Sequence, residues 1–218
     1  MDDNDRSQGE VEGWLTSQHD EGRAHFGEHG EVSKYDQRLI AFGECAEANA
    51  AIGVAVAQGS FSVETTALLS SVQNDMLDLA ADLSVPRNSD QQPMARITEG
   101  HLQRLDRAVE QLAQEIPDPE AIILPGGTVG AALLYQARTL IRRAERAVWR
   151  VTDENPDHIN PLAGQFLDRL SALMLVLART ENDEHGHMYW EPGASAHAMT
   201  GDDDGADPPS ASTEGSAT

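Results

Sequence analysis

The sequence predicts an all-α protein, an antiparallel five-helix bundle flanked by disordered acidic tails. Three observations predict this class. Apolar residues recur at the three-and-four spacing of a helix in five separate segments. No run of alternating polar and apolar residues bounded by turn residues indicates a strand. Short connections separate the five segments, as in bundles whose neighbouring helices run antiparallel.

The first three helices follow from composition and capping. A helix over residues 36–58 is rich in alanine and glycine, which allows another backbone to approach closely. The second begins after Ser62, a residue type that caps helix N-termini, and ends before Pro86. The third covers residues 98–116. Its stripe of residues with core spacing consists of Leu102, Leu105, Val109 and Leu112.

The last two helices follow a glycine turn and a proline. The turn Ile-Leu-Pro-Gly-Gly-Thr precedes a helix predicted over residues 129–151, and Pro161 opens one over residues 161–180. A helical wheel of the fourth helix, at about 100° per residue, places five apolar residues on one core face. They are Leu134, Ala137, Ile141, Ala144 and Val148.

An arc of six polar and aromatic side chains, three of them arginines, borders that core face, and we call it the arginine arc. It holds Tyr135, Arg138, Arg142, Glu145, Arg146 and Trp149. Guanidinium groups beside a core need anionic partners, which are either carboxylates of a neighbouring helix or subunit, or a polyphosphate ligand. The alternative is a solvated face in which each exposed pair contributes about 0.2–0.5 kcal/mol. The pattern alone leaves these interpretations open.

Composition restricts the partners and the compartment. The formal net charge of -22 disfavours nucleic acid and anionic lipid as partners. The single cysteine, Cys45, excludes an internal disulfide and is expected to pack in the core. The acidic N-terminus lacks the features of a secretory signal, and the longest apolar run, residues 172–178, is too short to span a membrane. We therefore expect a cytoplasmic protein without a membrane partner.

The chain divides into three parts by composition. Residues 1–31 form an acidic segment rich in glycine and histidine, residues 32–192 the helical domain, and residues 193–218 an acidic tail expected to be disordered. Zinc needs three or four ligands in fixed geometry. The histidines cluster only in the glycine-rich N-terminal segment and around residues 185–187, so no metal site is predicted.

Several motifs together resemble a known family. Residues 124–127 read Leu-Pro-Gly-Gly, residues 142–146 read Arg-Arg-Ala-Glu-Arg, and Lys34 is the only lysine of the chain. The segment Phe-Leu-Asp-Arg-Leu-Ser at residues 166–171 begins a further matching stretch. In combination over residues 14–192 they are similar to the PduO-type ATP:corrinoid adenosyltransferases.

The resemblance implies a homotrimer with active sites between subunits, which transfers the 5'-deoxyadenosyl group of ATP to a reduced corrinoid such as cobalamin, assisted by Mg²⁺. Arg142, Glu145 and Arg146 would be the catalytic residues, and Ile122 and Glu47 would contact the corrinoid. The ATP-binding residues would be Thr16, Asp20, Gly22, Lys34, Arg138, Arg142, Arg146 and Asp168.

Departures from the family pattern favour an alternative. In the predicted phosphate loop, residues 16–24, His19 replaces a glycine, which restricts the backbone. Ala46 replaces an aspartate expected to meet Arg138 across the subunit boundary, and Asp168 replaces an asparagine. The alternative is a catalytically impaired paralogue of the same fold that binds a corrinoid or nucleotide, or a structural or regulatory oligomer.

Overall fold

The computed structural model describes residues 21–114, 116 and 122–195 of the chain; residues 1–20 of the acidic N-terminal segment and all but residues 193–195 of the predicted C-terminal tail lie outside this part. It contains five long helices: α1 Gln37–Gln58, α2 Val63–Leu83, α3 Glu99–Ala113, α4 Val129–Glu154 and α5 Leu162–Thr180. The predicted five-helix bundle is confirmed.

Helix α4 lies at the centre of the bundle. It packs between α1 and α5, while α2 packs against α1, and α3 packs against α5. The predicted core face of α4 is confirmed, because all five of its residues are fully buried. Arg143 contacts Glu44 in the first half of α1, whereas Gly130 at the start of α4 faces Phe61, just beyond the end of α1. The two helices therefore run antiparallel.

Side-chain caps determine where three helices begin. Asp36 accepts a hydrogen bond from the main-chain N–H two residues on at 2.9 Å. Ser62 and Thr128 accept one from the N–H three residues on, at 3.0 and 3.1 Å. Each cap of this kind contributes about 1 kcal/mol to helix stability. The prediction of Ser62 as an N-cap is confirmed.

A short antiparallel hairpin precedes α1. Strand β1, Arg23–His25, pairs with β2, Glu31–Ser33, in the register Arg23 to Ser33. The sequence pattern does not predict it, because three residues per strand are too few for alternation to be recognised. Phe26 and Val32 anchor the hairpin, since both are buried among the described residues.

Helix α1 is long and apolar enough to cross a membrane by length and composition alone. In the bundle its buried face packs against α2 and α4. Cys45 lies on that face and is buried in the core, as expected, and this burial raises the pKa of its thiol to about 12. The opposite face carries Ala46, Ala50 and Val54 and is exposed, Val54 to 44%.

A buried carboxylate joins the connections at one end of the bundle. Asp82 accepts hydrogen bonds from Arg96 Nη1 at 2.6 Å, from Ile97 N at 3.1 Å and from Asn160 Nδ2 at 2.7 Å. Asn160 Nδ2 also donates to Ile97 O at 2.8 Å. These bonds attach the segments before α3 and before α5 to the end of α2.

Candidate functional site

The arginine arc runs along the edge of the core of α4. Arg142 is 45% exposed, and its Nη1 lies 3.8 Å from Glu145 Oε2 and 4.0 Å from Asp168 Oδ1. Both distances exceed those of a hydrogen bond. Arg146 donates from Nη1 to Arg142 O at 2.9 Å and forms no ion pair with any described carboxylate. Both guanidinium groups therefore retain donors for an anion.

One turn earlier, Arg138 has a buried Nε that finds no acceptor among the described residues. The hydroxyl of Tyr135 is also buried without a partner in this part of the chain. Burial raises the pKa of Tyr135 above its usual value. A buried donor without an acceptor costs about 1–3 kcal/mol. An acceptor supplied by a ligand or by a second copy would be stabilising here.

Arg143 differs from its neighbours, and the sequence-based set of site residues does not include it. Its guanidinium pairs with Glu44 and Glu47 of α1. Glu47, which the resemblance assigns to the corrinoid, is thus half-exposed and engaged at the contact between α1 and α4. Carboxylates of a neighbouring helix are thus the partners of Arg143, whereas carboxylates of a neighbouring subunit and a polyphosphate both stay open for Arg142 and Arg146.

The structure brings together two predicted ATP-binding residues at the open end of the hairpin. Lys34 N donates to Gly22 O at 2.9 Å. Gly22 has φ +72°, a left-handed conformation that favours glycine, and the space beside it is open. Thr16 and Asp20 lie outside the described residues. Because α1 and α4 are antiparallel, Lys34 lies toward the end of the bundle where α4 ends.

An imidazole attaches the tip of the hairpin to α2. The Nε2 atom of His29 lies 3.1 Å from Leu83 O, and its Nδ1 lies 3.0 Å from Arg38 Nη1. A guanidinium can only donate, so Nδ1 accepts and Nε2 carries the proton of a neutral ring. Burial lowers the pKa of His29 below its usual 6.5, and the charges of Arg38 and His158 add to this effect.

The segment before α4 and the segment after α5 lie side by side. Leu124 N donates to Met188 O at 2.8 Å, and Trp190 N donates to Ile122 O at 2.7 Å. One antiparallel bridge joins the residues between these pairs. We call residues 122–124 and 188–190 the apolar platform.

Most side chains of the apolar platform are exposed, whereas Ile123 packs against the core. Ile122 is 64% exposed, Met188 70% and Trp190 51%. A contiguous exposed apolar surface often marks a ligand or partner site. Ile122 is a predicted corrinoid contact, whereas Met188, Tyr189 and Trp190 are not among the residues that the sequence assigns to a site. Only their aromatic and apolar composition could have indicated them, because no sequence pattern pairs segments so far apart.

The platform and the last arginines of the arc lie at different positions along α4. Val129, the first residue of α4, is 13 residues before Arg142, which corresponds to about 20 Å of helix. Within one chain, the start of α4, to which the segment with Ile122 leads, is therefore distant from Arg142. A ligand that touches both must be extended, or must be shared with another copy.

A second polar cluster lies between α2 and α3. Asp75, Asp78 and His101 place their ligand atoms within 4.8 Å of one another. His101 Nδ1 accepts the main-chain N–H of Thr98 at 3.1 Å, and its Nε2 lies 3.5 Å from Asp78 Oδ2. Asp75 is paired with Arg104. Asp75 and His101 already have polar partners in Arg104 and Thr98, so we interpret this cluster as a structural polar contact.

Comparisons with known proteins match most of the chain, including all five helices. A family model described as cobalamin adenosyltransferase matches residues 14–181. A corrinoid adenosyltransferase from Mycobacterium tuberculosis is 38% identical over 180 residues, covering 82% of this chain and 93% of the relative. One from Bacillus subtilis is 31% identical over 160 residues, covering 72% and 80%.

Solved structures give the same result. A variant of a PduO-type ATP:corrinoid adenosyltransferase from Lactobacillus reuteri, complexed with cobalamin and ATP, is similar to this chain with a TM-score of 0.75 and 27% identity. The match covers 81% of this chain and 99% of that chain. The family match contains the arginine arc and the first platform segment, and it ends before residues 188–190.

Proposed function

Because the chain belongs to the cobalamin adenosyltransferase family, we propose that it moves the 5'-deoxyadenosyl group of ATP to the cobalt of a reduced corrinoid. The Co(I) centre attacks C5' of the ribose. A Co–C bond forms, the C5'–O bond breaks, and its electron pair leaves on the triphosphate oxygen. The nucleophile comes from the corrinoid, so the protein does not have to generate one.

The observation that carries the proposal is the state of the arginine arc. Arg142 and Arg146 lie at the edge of the core with no tight carboxylate partner among the described residues. The leaving triphosphate carries several negative charges, and preorganised guanidinium forks stabilise such charge as it develops. Glu145, with its side chain 15% exposed and 3.8 Å from Arg142, would orient that fork.

The geometry supports an order of binding along α4. The triphosphate would lie at Arg142 and Arg146, toward the end of the bundle that also carries Lys34 and Gly22. The corrin ring would lie at the other end, on the apolar platform, with C5' between them. Alignment of the two reactants then supplies the second large contribution to the rate. Arg138, between these two regions, would donate to the nucleotide.

Magnesium would accompany the triphosphate. Mg²⁺ prefers one or two protein carboxylates together with phosphate oxygens and water. Asp168 fits this preference, because its side chain is 62% exposed and lies 4.0 Å from Arg142 without a hydrogen bond between them. Its negative charge beside an anionic ligand would then be compensated by the cation.

The trimer and the compartment belong to the proposal as well. The exposed face of α1 carries the small and apolar residues Ala46, Ala50 and Val54, with Glu47 beside them. Small side chains allow another backbone to approach closely, so this face suits packing against a second copy. A homotrimer would place α1 of one protomer near the site of the next. The cytoplasmic location stays a prediction of the sequence.

Turnover of purified protein tests the proposal. Cobalamin reduced to the Co(I) state is mixed with MgATP, and adenosylcobalamin is followed by absorbance while triphosphate is quantified separately. We expect both products in equal amounts. If no adenosylcobalamin forms above a protein-free control, the proposed enzymatic activity is refuted. Calorimetric binding of ATP or cobalamin without turnover would identify the impaired paralogue, for which Ala46 and His19 provide the argument.

A further inference from the structure

One buried side chain holds the turn that leads into α4. Asn182 is 2% exposed. Its Oδ1 accepts a hydrogen bond from Thr128 N at 2.9 Å, and its Nδ2 donates to Gly126 O at 2.7 Å. The side-chain amide thus satisfies the main-chain groups on both sides of Gly127. Thr128 is also the N-cap of α4, so the amide fixes the beginning of that helix.

Gly127 shows how closely the turn fits against Asn182. Its φ is +100°, a conformation that L side chains rarely adopt. A Cβ at this position would overlap the amide of Asn182. Backbone and side chain are in direct contact, so a change at Asn182 moves the turn.

Both segments of the apolar platform are close in sequence to the contact between Asn182 and the turn before α4. Ile122 lies four residues before Gly126, and Met188 lies six residues after Asn182. The two segments are hydrogen-bonded to each other. Asn182 also lies just beyond the last residue of α5 and bonds the N-cap of α4. It therefore connects the platform to the rigid part of the bundle.

We propose that Asn182 is a positioning residue for the corrinoid half of the site. It holds the apolar platform in one position and orientation relative to the helices. Under the function proposed above, the corrin ring lies on this platform. A misplacement of about 1 Å between aligned reactants costs about 100-fold in rate. The arginines assigned to the triphosphate lie about 20 Å further along α4. A change at Asn182 therefore acts on the corrinoid and leaves ATP binding unaffected.

The test separates the two substrates. Asn182→Ala removes both hydrogen bonds, and Asn182→Asp keeps the shape and the acceptor but replaces the donor to Gly126 O with an anionic oxygen. A displaced platform binds the corrin ring less well and aligns it less well, so we expect the KM for reduced cobalamin to rise about 10-fold or more and kcat to fall in both variants, while the KM for ATP stays within about two-fold. Circular dichroism checks that each variant is folded, and Asn182→Asp provides the result if the alanine variant is not.

Asn160→Ala is the matched control. Asn160 also uses its amide to join a loop to the bundle, but it precedes α5 whereas Asn182 follows it, about 28 Å away along the helix. A general loss of stability would affect both variants alike. We expect the control not to raise the KM for cobalamin selectively.

The outcomes distinguish the two proposals. If the unaltered chain forms no adenosylcobalamin, the proposed function fails, and the role of Asn182 fails with it. If the unaltered chain is active and the Asn182 variants show the same change in both KM values, or none, only the positioning role is refuted. A selective rise in the cobalamin KM supports it.

Discussion

Replacement of Arg142 by alanine tests the polyphosphate interpretation of the arginine arc. The side chain is 45% exposed, and its nearest carboxylate atoms are 3.8 and 4.0 Å away. Exposed pairs of this kind contribute about 0.2–1 kcal/mol to stability. Alanine forms helix at least as well as arginine. The free energy of unfolding should therefore change by less than about 1 kcal/mol.

The expected effect on ATP binding is much larger. A guanidinium fork on phosphate makes two charge-assisted hydrogen bonds, each contributing about 1.5–3 kcal/mol. Loss of both amounts to about 3 kcal/mol or more, and each 1.4 kcal/mol is a factor of ten in affinity. Arg142→Ala should therefore raise the Kd for MgATP by about 100-fold or more. Isothermal titration calorimetry measures it directly.

Arg150→Ala is the control for loss of one positive charge from the same helix. Arg150 lies outside the arc, is 62% exposed and pairs with Glu154 at 3.1 Å. Its replacement should change the Kd for MgATP by no more than about two-fold, because its charge is already paired with Glu154 and exposed charges are screened by salt. Equal losses in the two variants, or unchanged binding in Arg142→Ala, would refute the clamp.

Three further changes test the bundle. Asp82→Ala should lower the free energy of unfolding by about 3 kcal/mol, because three donors lose a buried acceptor; a loss below about 1 kcal/mol in a urea titration would contradict this. Gly164→Ala would place a Cβ 2.5 Å from the ring of Trp149, so we expect a loss of about 1–3 kcal/mol, and an unchanged Tm would be the opposing result. Because burial holds the pKa of His29 below 6.5, the unfolded chain binds that proton more readily, and stability should fall as pH drops below 6.5. His29→Gln should flatten this dependence, whereas an unaltered slope would exclude His29 as its source.

The helices could be predicted because each one has its own periodic pattern. The wheel of α4 identifies the buried face residue by residue, since a 26-residue helix repeats its spacing many times. The hairpin could not be predicted in this way. It depends on Phe26 and Val32 packing against the bundle and on the attachment of His29 to α2, which are tertiary contacts without a local signal.

The candidate site also contains residues that the sequence predicts and residues that it does not. Arg142 and Arg146 follow from spacing on one helix together with the family resemblance. The pairing of Arg143 with α1 depends on how two helices pack, and the sequence does not distinguish it from its neighbour Arg142. Asn182 and the second platform segment lie more than 50 residues from the turn they contact. No pattern within one element reports such a contact.

A crystal structure of the protein with MgATP and cobalamin would test the central claim most directly. The account predicts triphosphate oxygens within hydrogen-bond distance of Arg142 and Arg146, with the corrin ring against the apolar platform. Triphosphate bound elsewhere, with the two guanidinium groups in contact with carboxylates of a neighbouring protomer, would contradict it.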